Sequence, residues 1–323
     1  MSYLNYSNLP AFIERYFSKP GMREQRLVGI EHVYDSGYYD VIRFFGGQPE
    51  KPGNITIAYL PNSFTFTDPN IREFATHAEQ RLRLEGRLYE GPGAVRVVGL
   101  DLNVYPQTMT VQECAYGDQA GTCFALDLPH PVFRKWGGTL REYYKARYPS
   151  NALGQNPLAI CLGICGFLTV KEGDSEYLLQ VHRTAKLASL EDSLGPSVAG
   201  SVDYVSDYST LQDIINRSLG AEIEEELHLE SDETQIVPLA YAREIFRGEK
   251  PQIFCLVTTT LNRKQIAERL DGIDPEAREF DHYEFVTVHS KRHSMAHWLE
   301  SLNHEARMNY YLLEEYFESS QHS

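Results

Sequence analysis

The residues most able to do chemistry form a run of glutamates at 221–229, AEIEEELHL. On a helix, Glu222, Glu225 and Glu226 stand at i, i+3 and i+4 and share one face, whereas Glu224 faces elsewhere. Like charges within one turn repel, by about 3 kcal/mol per pair at roughly 6 Å and an effective dielectric near 20. A hard divalent cation such as Mg²⁺, which is bound through carboxylates, would reverse the sign of this interaction.

A second interpretation of this run stays open. Glutamate-rich helices are usually solvated surface elements. Ile223, Leu227 and Leu229 would then form the buried side of an ordinary surface helix. The residues around the run decide between the two interpretations.

The segment resembles the Nudix hydrolase superfamily, whose box is G-x5-E-x7-R-E-U-x-E-E-x-G-U, with U a bulky aliphatic residue. Five positions match the second half of the box: Glu222, Ile223, Glu225, Glu226 and Leu229. Upstream, residues 199–203 (AGSVD) resemble the glycine turn that opens the box, and residues 177–183 (YLLQVHR) resemble a strand common in the family. Downstream, residues 242–252 resemble a stretch that precedes a strand in one branch of large Nudix proteins. The resemblance covers about residues 157–290.

This resemblance implies an enzyme that uses Mg²⁺ or Mn²⁺ to hydrolyse a nucleoside diphosphate linked to another moiety. In the family, the box glutamates bind the metal, and one of them helps to activate the attacking water. Carried over to this chain, the metal ligands are Glu222, Glu225 and Glu226, and the catalytic residues are Glu225 and Glu226. The alternatives are a catalytically impaired Nudix-fold protein that senses a nucleotide or nucleotide-sugar, and an interaction protein whose first half docks a partner.

Two further metal ligands are implied by the resemblance. The first glycine of the box gives a backbone carbonyl to the metal, and Gly200 is the match. A further acid lies a few residues before the final strand of the family fold. Glu279 is the best match, with Glu276 and Glu284 as rivals.

The chain departs from the box at several positions. Ala221 stands where the family has arginine, and His228 stands at the last glycine. Gly200 lies 21 residues before Ala221, where the family spacing is 14, so about seven residues are inserted. The acid that precedes the box arginine falls on Asp213, and Arg217 follows it at i+4. We expect Asp213 and Arg217 to orient the site, with Arg217 replacing the missing arginine.

Four residues are predicted to bind substrate. Arg183 and Lys186 follow the strand at 177–181 and offer paired or single cationic donors to a diphosphate. Tyr204 and Tyr208 lie in the inserted loop and are expected to stack on a base or gate the pocket. The alternatives are solvated loop charges for the two cations and packing of the loop for the two tyrosines.

The composition excludes several classes of protein. The 323 residues include 30 Lys and Arg against 45 Asp and Glu, which gives a net charge of −15. Such a surface repels phosphate backbones, so we expect no general nucleic-acid binding. The partner that the resemblance implies is a small molecule, a nucleoside diphosphate derivative. The most apolar stretch, residues 158–170, is too short to cross a bilayer. The first residues carry no basic or apolar leader, so we expect no secretory signal.

Cysteine usage favours a reducing, cytoplasmic location. The five cysteines show no C-x-x-C spacing, and most lie in apolar, strand-like sequence. We therefore predict buried free thiols and no zinc site. The cysteines are Cys114, Cys123, Cys161, Cys165 and Cys255.

Strands and helices intermix along the chain, which predicts an α/β or α+β layer fold. A turn-rich stretch at 149–157 separates a strand-rich α+β N-terminal domain of unknown role, residues 1–150, from residues 151–323. The resemblance implies that the second domain is a Nudix-like α/β/α sandwich with a C-terminal helix. That helix, on sequence alone, is either a homodimer surface or a cap on the core.

The predicted elements follow from periodicity and turn residues. Helices are predicted at residues 9–17, 71–84, 139–147, 211–227, 264–270 and 295–319. Strands are predicted at residues 26–34, 38–45, 54–60, 94–105, 108–116, 122–128, 158–170, 177–181, 252–259 and 283–288.

Overall fold

The computed structural model describes residues 3–4, 12, 15, 37–48, 50–88, 91–150, 152–185, 187, 190, 192–288, 298–299 and 301–320. The strand predicted at 26–34, and all but two residues of the helix predicted at 9–17, lie outside these ranges. No helix within them is long and apolar enough to span a membrane. All five cysteines are buried and free, as predicted.

The described residues form two sheets and six α-helices. The strands are β1 Tyr38–Arg43, β2 Ile55–Tyr59, β3 Gly93–Asp101, β4 Gln107–Ala115, β5 Gly163–Glu172, β6 Ser175–Arg183, β7 Leu194–Gly195, β8 Val198–Ser201, β9 Thr234–Glu244, β10 Lys250–Thr259 and β11 Phe280–Thr287. The helices are α1 Pro69–Leu84, α2 Tyr116–Thr122, α3 Leu140–Arg147, α4 Leu211–Leu227, α5 Arg263–Asp271 and α6 His304–Ser320.

The larger sheet is mixed. Its strand order is β1-β9-β10-β5-β6-β11, with β8 paired to β5 and β7 paired to β6. β10 and β5 run parallel, and the other neighbours are antiparallel. The smaller sheet has the order β2-β4-β3, in which β2 and β4 are parallel. Because β5 pairs with β8 at one end and with β6 at the other, β6 and β8 diverge and leave an opening beside the sheet.

Helices cover both faces of the larger sheet. On β5, Ile164 and Leu168 face the core that contains α4, whereas Cys165 and Phe167 face the core that contains α6. This alternation follows from strand geometry, in which successive side chains point to opposite faces. The C-terminal half is therefore an α/β/α sandwich preceded by a strand-rich half, and the predicted fold class is confirmed.

The two halves of the chain share hydrophobic cores. β1 belongs to the first half but pairs with β9 in the larger sheet. Val95 and Val111 of the smaller sheet lie in the same core as Ile214 of α4. The division between residues 150 and 151 stays a prediction, and the contacts cross it.

The helix that carries the glutamates is fixed at both ends by its caps. The side chain of Thr210 accepts a hydrogen bond from the backbone N–H of Asp213 at 3.2 Å. After Leu227, His228 adopts a left-handed conformation with φ 53° and ψ 39°, which glycine or asparagine usually supplies at this position. The prediction of a helix at 211–227 is confirmed.

The strand predicted at residues 122–128 is wrong. The helix α2 runs up to Thr122, and turns and coil follow it. Gly121 permits close packing on α1, because a Cβ there would lie 2.5 Å from the carbonyl oxygen of Ala75. A short buried apolar run does not by itself distinguish a strand from other buried segments.

Two other elements differ from the prediction. The strand β9 was not predicted, because Pro238 interrupts its sequence. The structure accommodates this proline at a bulge, where Phe254 pairs with Ala240 and Cys255 pairs with Pro238. The C-terminal part of the helix predicted at 295–319 corresponds to α6. Asn303 precedes it, and its side chain accepts a hydrogen bond from the backbone N–H of Ala306 at 3.0 Å.

Candidate functional site

A cavity of about 260 Å³ lies where β8, α4 and the first half of the chain meet. Its lining has an acidic part, a cationic part and an aromatic part. The acids are Asp203, Glu222, Glu279 and Glu305; the cations are Arg183, Arg247 and Lys250; the aromatic residues are Tyr116 and Phe124. Gly200 also lines it. Of the predicted site residues, Arg183, Gly200, Glu222 and Glu279 therefore meet at one cavity.

Gly200 and Glu222 are in close contact. A Cβ at Gly200 would collide with the carboxyl group of Glu222, whose Cγ would lie 3.0 Å away. Gly200 lies on β8 opposite Ile164 of β5, so the sheet holds the glycine in place and α4 brings the glutamate to it. The absence of a side chain at this position therefore leaves the backbone of β8 open to the carboxylate.

Glu222 and Glu226 form a hydrogen-bonded carboxyl pair one turn apart on α4. Glu226 also accepts a hydrogen bond from the backbone N–H of Ala199. An ionised carboxylate has no donor, so the bond between the two carboxyl groups requires that one of them is protonated. Without a metal, the pair therefore shares a proton.

Burial and like charges explain this protonation. Burial, and then the charges of Glu279 and Glu225, raise the pKa of Glu222 to about 7. Burial, and then the charges of Glu279 and Glu222, hold the pKa of Glu226 well above its ordinary value. Burial and Glu225 likewise raise the pKa of Asp203. Carboxyl groups with raised pKa values in a cavity are typical of functional sites.

Arg183 lies between the acidic and cationic parts of the lining. Its Nη2 is 3.8 Å from the carboxylate of Glu279, and the next residue, Thr184, donates a backbone hydrogen bond to the carbonyl of Glu279. The Nε of Arg183 is buried and has no hydrogen-bond partner among the described residues. This guanidinium therefore has a free donor beside the cavity.

The cationic part is built from the β9–β10 hairpin and α6. Arg247 donates to Glu244 at 2.6 Å and to Glu305 of α6, and all three residues are buried. Lys250 lies next to them and donates to Oε1 of Gln252. Burial, and then the charge of Arg247, lower the pKa of Lys250 to about 8.

The oxygen donors fit a hard divalent cation. Among the described residues, no group of three or more His, Cys, Asp or Glu side chains is arranged to hold a metal ion as it stands. However, Glu222 and Glu226 are held together against the repulsion of Glu279, and Gly200 leaves room for the carboxyl of Glu222 beside the backbone. A cation that binds these oxygens would replace the shared proton.

Glu225, the third box glutamate, lies away from the cavity lining. Its side chain is exposed, and its charge acts on Glu222 and Asp203. The rival acids Glu276 and Glu284 are also exposed and do not line the cavity. Lys186 lies outside the described residues.

The structure does not bring Tyr204 and Tyr208 to the cavity lining. The ring of Tyr204 packs edge-on against Tyr59 at 5.9 Å. Tyr208 is buried, and its hydroxyl donates to the carbonyl of Asp203 at 3.3 Å. Contacts with the smaller sheet and α4 hold both rings in the packing of the inserted loop, which is the alternative that the sequence left open for them. A contact with substrate stays a prediction.

The structure also does not place Asp213 and Arg217 as orienting residues. Arg217 donates to Asp207 at 2.9 Å, lies 3.8 Å from Asp213, and packs over the ring of Tyr208. Asp213 accepts a backbone hydrogen bond from Ser209 at 3.1 Å. Two carboxylates near the start of α4 therefore hold the guanidinium, and neither Arg217 nor Asp213 lines the cavity. Their orienting role stays a prediction.

Several lining residues were not predicted from the sequence. Tyr116 and Phe124 come from the first half of the chain, and only tertiary packing brings them here. Arg247 and Lys250 lie in the stretch 242–252, which was noted only for its resemblance. The sequence does show two cations, Arg247 and Lys250, on either side of a turn directly before a strand. This pattern does not by itself indicate a cavity.

No protein-family model matches this chain, and no curated protein matches it. Among solved structures, it is similar to a MutT/Nudix family protein from Listeria innocua, with 13% identity, a TM-score of 0.34, and coverage of 50% of this chain and 95% of that chain. DR0079 from Deinococcus radiodurans gives 17% identity, a TM-score of 0.32, and coverage of 47% and 81%. The Ap4A hydrolase of C. elegans gives 13% identity, a TM-score of 0.28, and coverage of 50% and 98%. These similarities are too distant to assign an activity.

Proposed function

We propose that this protein is a Nudix-like, metal-dependent hydrolase of a nucleoside diphosphate linked to another moiety. The observation that carries the proposal is the meeting of Gly200, Glu222 and Glu279 at one cavity, with Glu226 hydrogen-bonded to Glu222 behind them. Gly200, the Glu222–Glu226 pair and Glu279 come from three separate parts of the chain, and the charge of Glu279 raises the pKa of both helix glutamates. The arrangement is unfavourable for a purely structural site and favourable for a cation site.

Glu222, Glu226, Glu279 and the backbone of Gly200 would hold Mg²⁺ or Mn²⁺. A cation bound there would supply a water of lowered pKa and neutralise charge on the phosphate oxygens. Glu225 is exposed and contributes charge to the site through Glu222 and Asp203.

The protein groups then have separate tasks. Glu226 is positioned by the N–H of Ala199 and accepts the proton of the attacking water, a general-base role. Arg183 presents donors to the diphosphate oxygens, for which a planar guanidinium is well suited. Tyr116 and Phe124 form an apolar wall, which suits a base or sugar face.

Hydrolysis of ADP-ribose, UDP-glucose and NADH, with and without Mg²⁺ or Mn²⁺, tests this proposal. We expect metal-dependent product from at least one compound. Glu226→Gln should reduce kcat by about 10²–10⁴-fold, the usual contribution of a general base. Glu224→Gln is the matched control, because Glu224 is an exposed residue on the same helix. Equal rates for the parent and Glu226→Gln would contradict the assignment.

A second candidate is a binding protein that senses a nucleotide or nucleotide-sugar without cleaving it. Ala221 is exposed where the family box has arginine, and Arg217 is engaged by Asp207. Thermal stabilisation by ADP-ribose or UDP-glucose with no product would favour this candidate. Product release would exclude it.

A further inference from the structure

Lys250 is a buried cation that faces the cavity with an incomplete set of partners. Lys250 is 2% exposed and lines the cavity. Among the described residues, its ammonium group donates to one acceptor, Oε1 of Gln252. An ammonium has three N–H donors, and a buried donor without an acceptor costs free energy.

The carboxylates near Lys250 are paired with arginine side chains instead. Glu244 and Glu305 both accept from Arg247, and the carboxylate of Glu279 is nearest to Arg183. Within the described part of the chain, no carboxylate forms an ion pair with Lys250 at 4.0 Å or less. Glu244 and Glu305 act on Lys250 only at longer range.

The backbone beneath Lys250 leaves room for its ammonium group. Gly163 of β5 lies under it, and a Cβ at Gly163 would collide with Nζ of Lys250 and Oε1 of Gln252. A side chain at position 163 would therefore displace the ammonium. The cavity, the incompletely paired ammonium and the open backbone together describe a site for an anion.

We propose that Lys250 binds a second anionic group of the substrate, a carboxylate or phosphate on the moiety joined to the nucleoside diphosphate. This inference rests on the proposed function. Ser201 of β8 pairs with Gly163 of β5, which pairs with Gln252 of β10. β10 and β8 are therefore two strand spacings apart, about 10 Å. That separation leaves room for one sugar ring between a diphosphate bound at β8 and an anion bound at Lys250.

Electrostatics support the same conclusion. Burial and the charge of Arg247 lower the pKa of Lys250, so its charged form is disfavoured in the free protein. An anionic group beside Nζ would reverse that effect and supply an acceptor for its free N–H groups. A neutral sugar would not.

Matched substrate pairs test the proposal. UDP-glucuronate differs from UDP-glucose by one carboxylate, and ADP-ribose 1″-phosphate differs from ADP-ribose by one phosphate on the terminal ribose, so the two pairs distinguish the two kinds of anion. We expect the parent protein to prefer the anionic member of one pair by about tenfold or more in kcat/KM, the effect of a hydrogen bond to a charged group. Lys250→Met should reduce that ratio to near one, mainly through KM for the anionic member.

Two further variants serve as a control and as a substitute for Lys250→Met. Lys264→Met is the control, because the side chain of Lys264 is 86% exposed and remote from the cavity lining; its ratio should equal that of the parent. If Lys250→Met does not fold, as judged by circular dichroism, Gly163→Ala keeps the charge but displaces the ammonium, and it should lower the same ratio.

The failures of the two proposals are distinguishable. Equal kcat/KM values of the parent for both members of both pairs would overturn the Lys250 assignment and leave the hydrolase proposal standing. If no compound is cleaved, the hydrolase proposal fails. Calorimetry with the same four compounds then decides on Lys250, because an anionic subsite still predicts tighter binding of one anionic member, lost in Lys250→Met, and equal affinities would overturn it.

Discussion

Within the described part of the chain, the group of charged side chains around Glu249 and the group around Glu222 are built differently. One is centred on Glu249, at the turn between β9 and β10, and it is closed by its own partners. The other is the carboxyl pair of Glu222 and Glu226, which lines or adjoins the cavity and meets further negative charge. Glu249 is fully buried and Glu222 and Glu226 are partly buried, and the charges around the two groups have opposite signs.

The Glu249 group joins separate parts of the chain. Glu249 is 1% exposed and receives Arg243 of β9 at 2.7 Å, Lys145 of α3 and the hydroxyl of Tyr39 on β1. Its charge is thus compensated by two cations and one hydroxyl donor. The group therefore has the features of a structural ion cluster, which ties the two halves of the chain to the β9–β10 hairpin.

The Glu222 group lacks such compensation. The charges of Glu279, Glu225 and Asp203 raise the pKa of Glu222. The cation that acts on Glu226 is Arg183, whose guanidinium lies 3.8 Å from Glu279. Buried charges that are fully paired indicate structure, whereas buried like charges beside a cavity indicate a ligand that completes them. Removal of one charge from each group should therefore change the stability of the protein in different ways.

The largest change in stability is expected in the Glu249 group, whose charges are paired. Glu249→Gln should lower the free energy of unfolding by about 3–5 kcal/mol, because it removes the buried charge that pairs with both Arg243 and Lys145. Urea unfolding measures this change. Glu268→Gln, which alters an exposed pair with Lys264 at 3.7 Å, should change it by no more than about 0.5 kcal/mol. Similar values for both variants would show that the Glu249 group does not hold the fold together.

At the Glu222 group, we expect the charge of the carboxylate to destabilise the folded protein, whereas the charge of Glu249 stabilises it. The pKa of Glu222 is raised in the folded state to about 7, above the unfolded value near 4.5. The folded state therefore binds the proton more tightly, and its stabilising effect is complete below about pH 4.5 and lost as the pH rises through about 7. The loss is at most about 3 kcal/mol.

Urea unfolding of the metal-free protein between pH 5 and pH 8 checks this sign. The parent should lose stability across this range, and Glu222→Gln, which cannot ionise, should lose less. Glu224→Gln should follow the parent. A steeper loss for Glu222→Gln than for the parent would mean that Glu222 is stabilised in its charged form, as in an ordinary ion pair.

The smallest effect is expected at Arg217. Because its guanidinium is held by Asp207 and Asp213 and half-exposed, Arg217→Ala should leave metal-dependent hydrolysis at the parent rate. A hydrolysis assay with the best substrate of the panel measures this. A large loss of kcat with unchanged folding would restore the orienting role that the sequence suggested for this arginine.

Local patterns predicted much of the fold. The 3.6-residue period placed α4 correctly, and strands such as β6 and β10 followed from their β-branched and aromatic runs. The strand β9 was missed because Pro238 breaks the pattern, although a bulge accommodates it. The strand predicted at 122–128 failed because burial there comes from helix packing at Gly121.

The acidic part of the site could be predicted because the glutamates are close in sequence and resemble a known box. Gly200 and Glu279 followed from the same resemblance. The rest could not be predicted, since Lys250, Tyr116 and Phe124 reach the cavity only through long-range packing of the β9–β10 hairpin and the first half of the chain. Tyr204 and Arg217 have the right residue types, but nearer partners hold them elsewhere.

Calorimetric titration with Mn²⁺ tests the central claim most directly, because it measures metal binding without requiring a substrate. We predict that the parent and Glu224→Gln bind Mn²⁺ with the same affinity, whereas Glu222→Gln and Glu226→Gln each lose most of the binding, with folding verified by circular dichroism. Equal Mn²⁺ affinity in all four proteins, or no binding by the parent, would contradict the assignment of the Glu222 and Glu226 pair as a metal site.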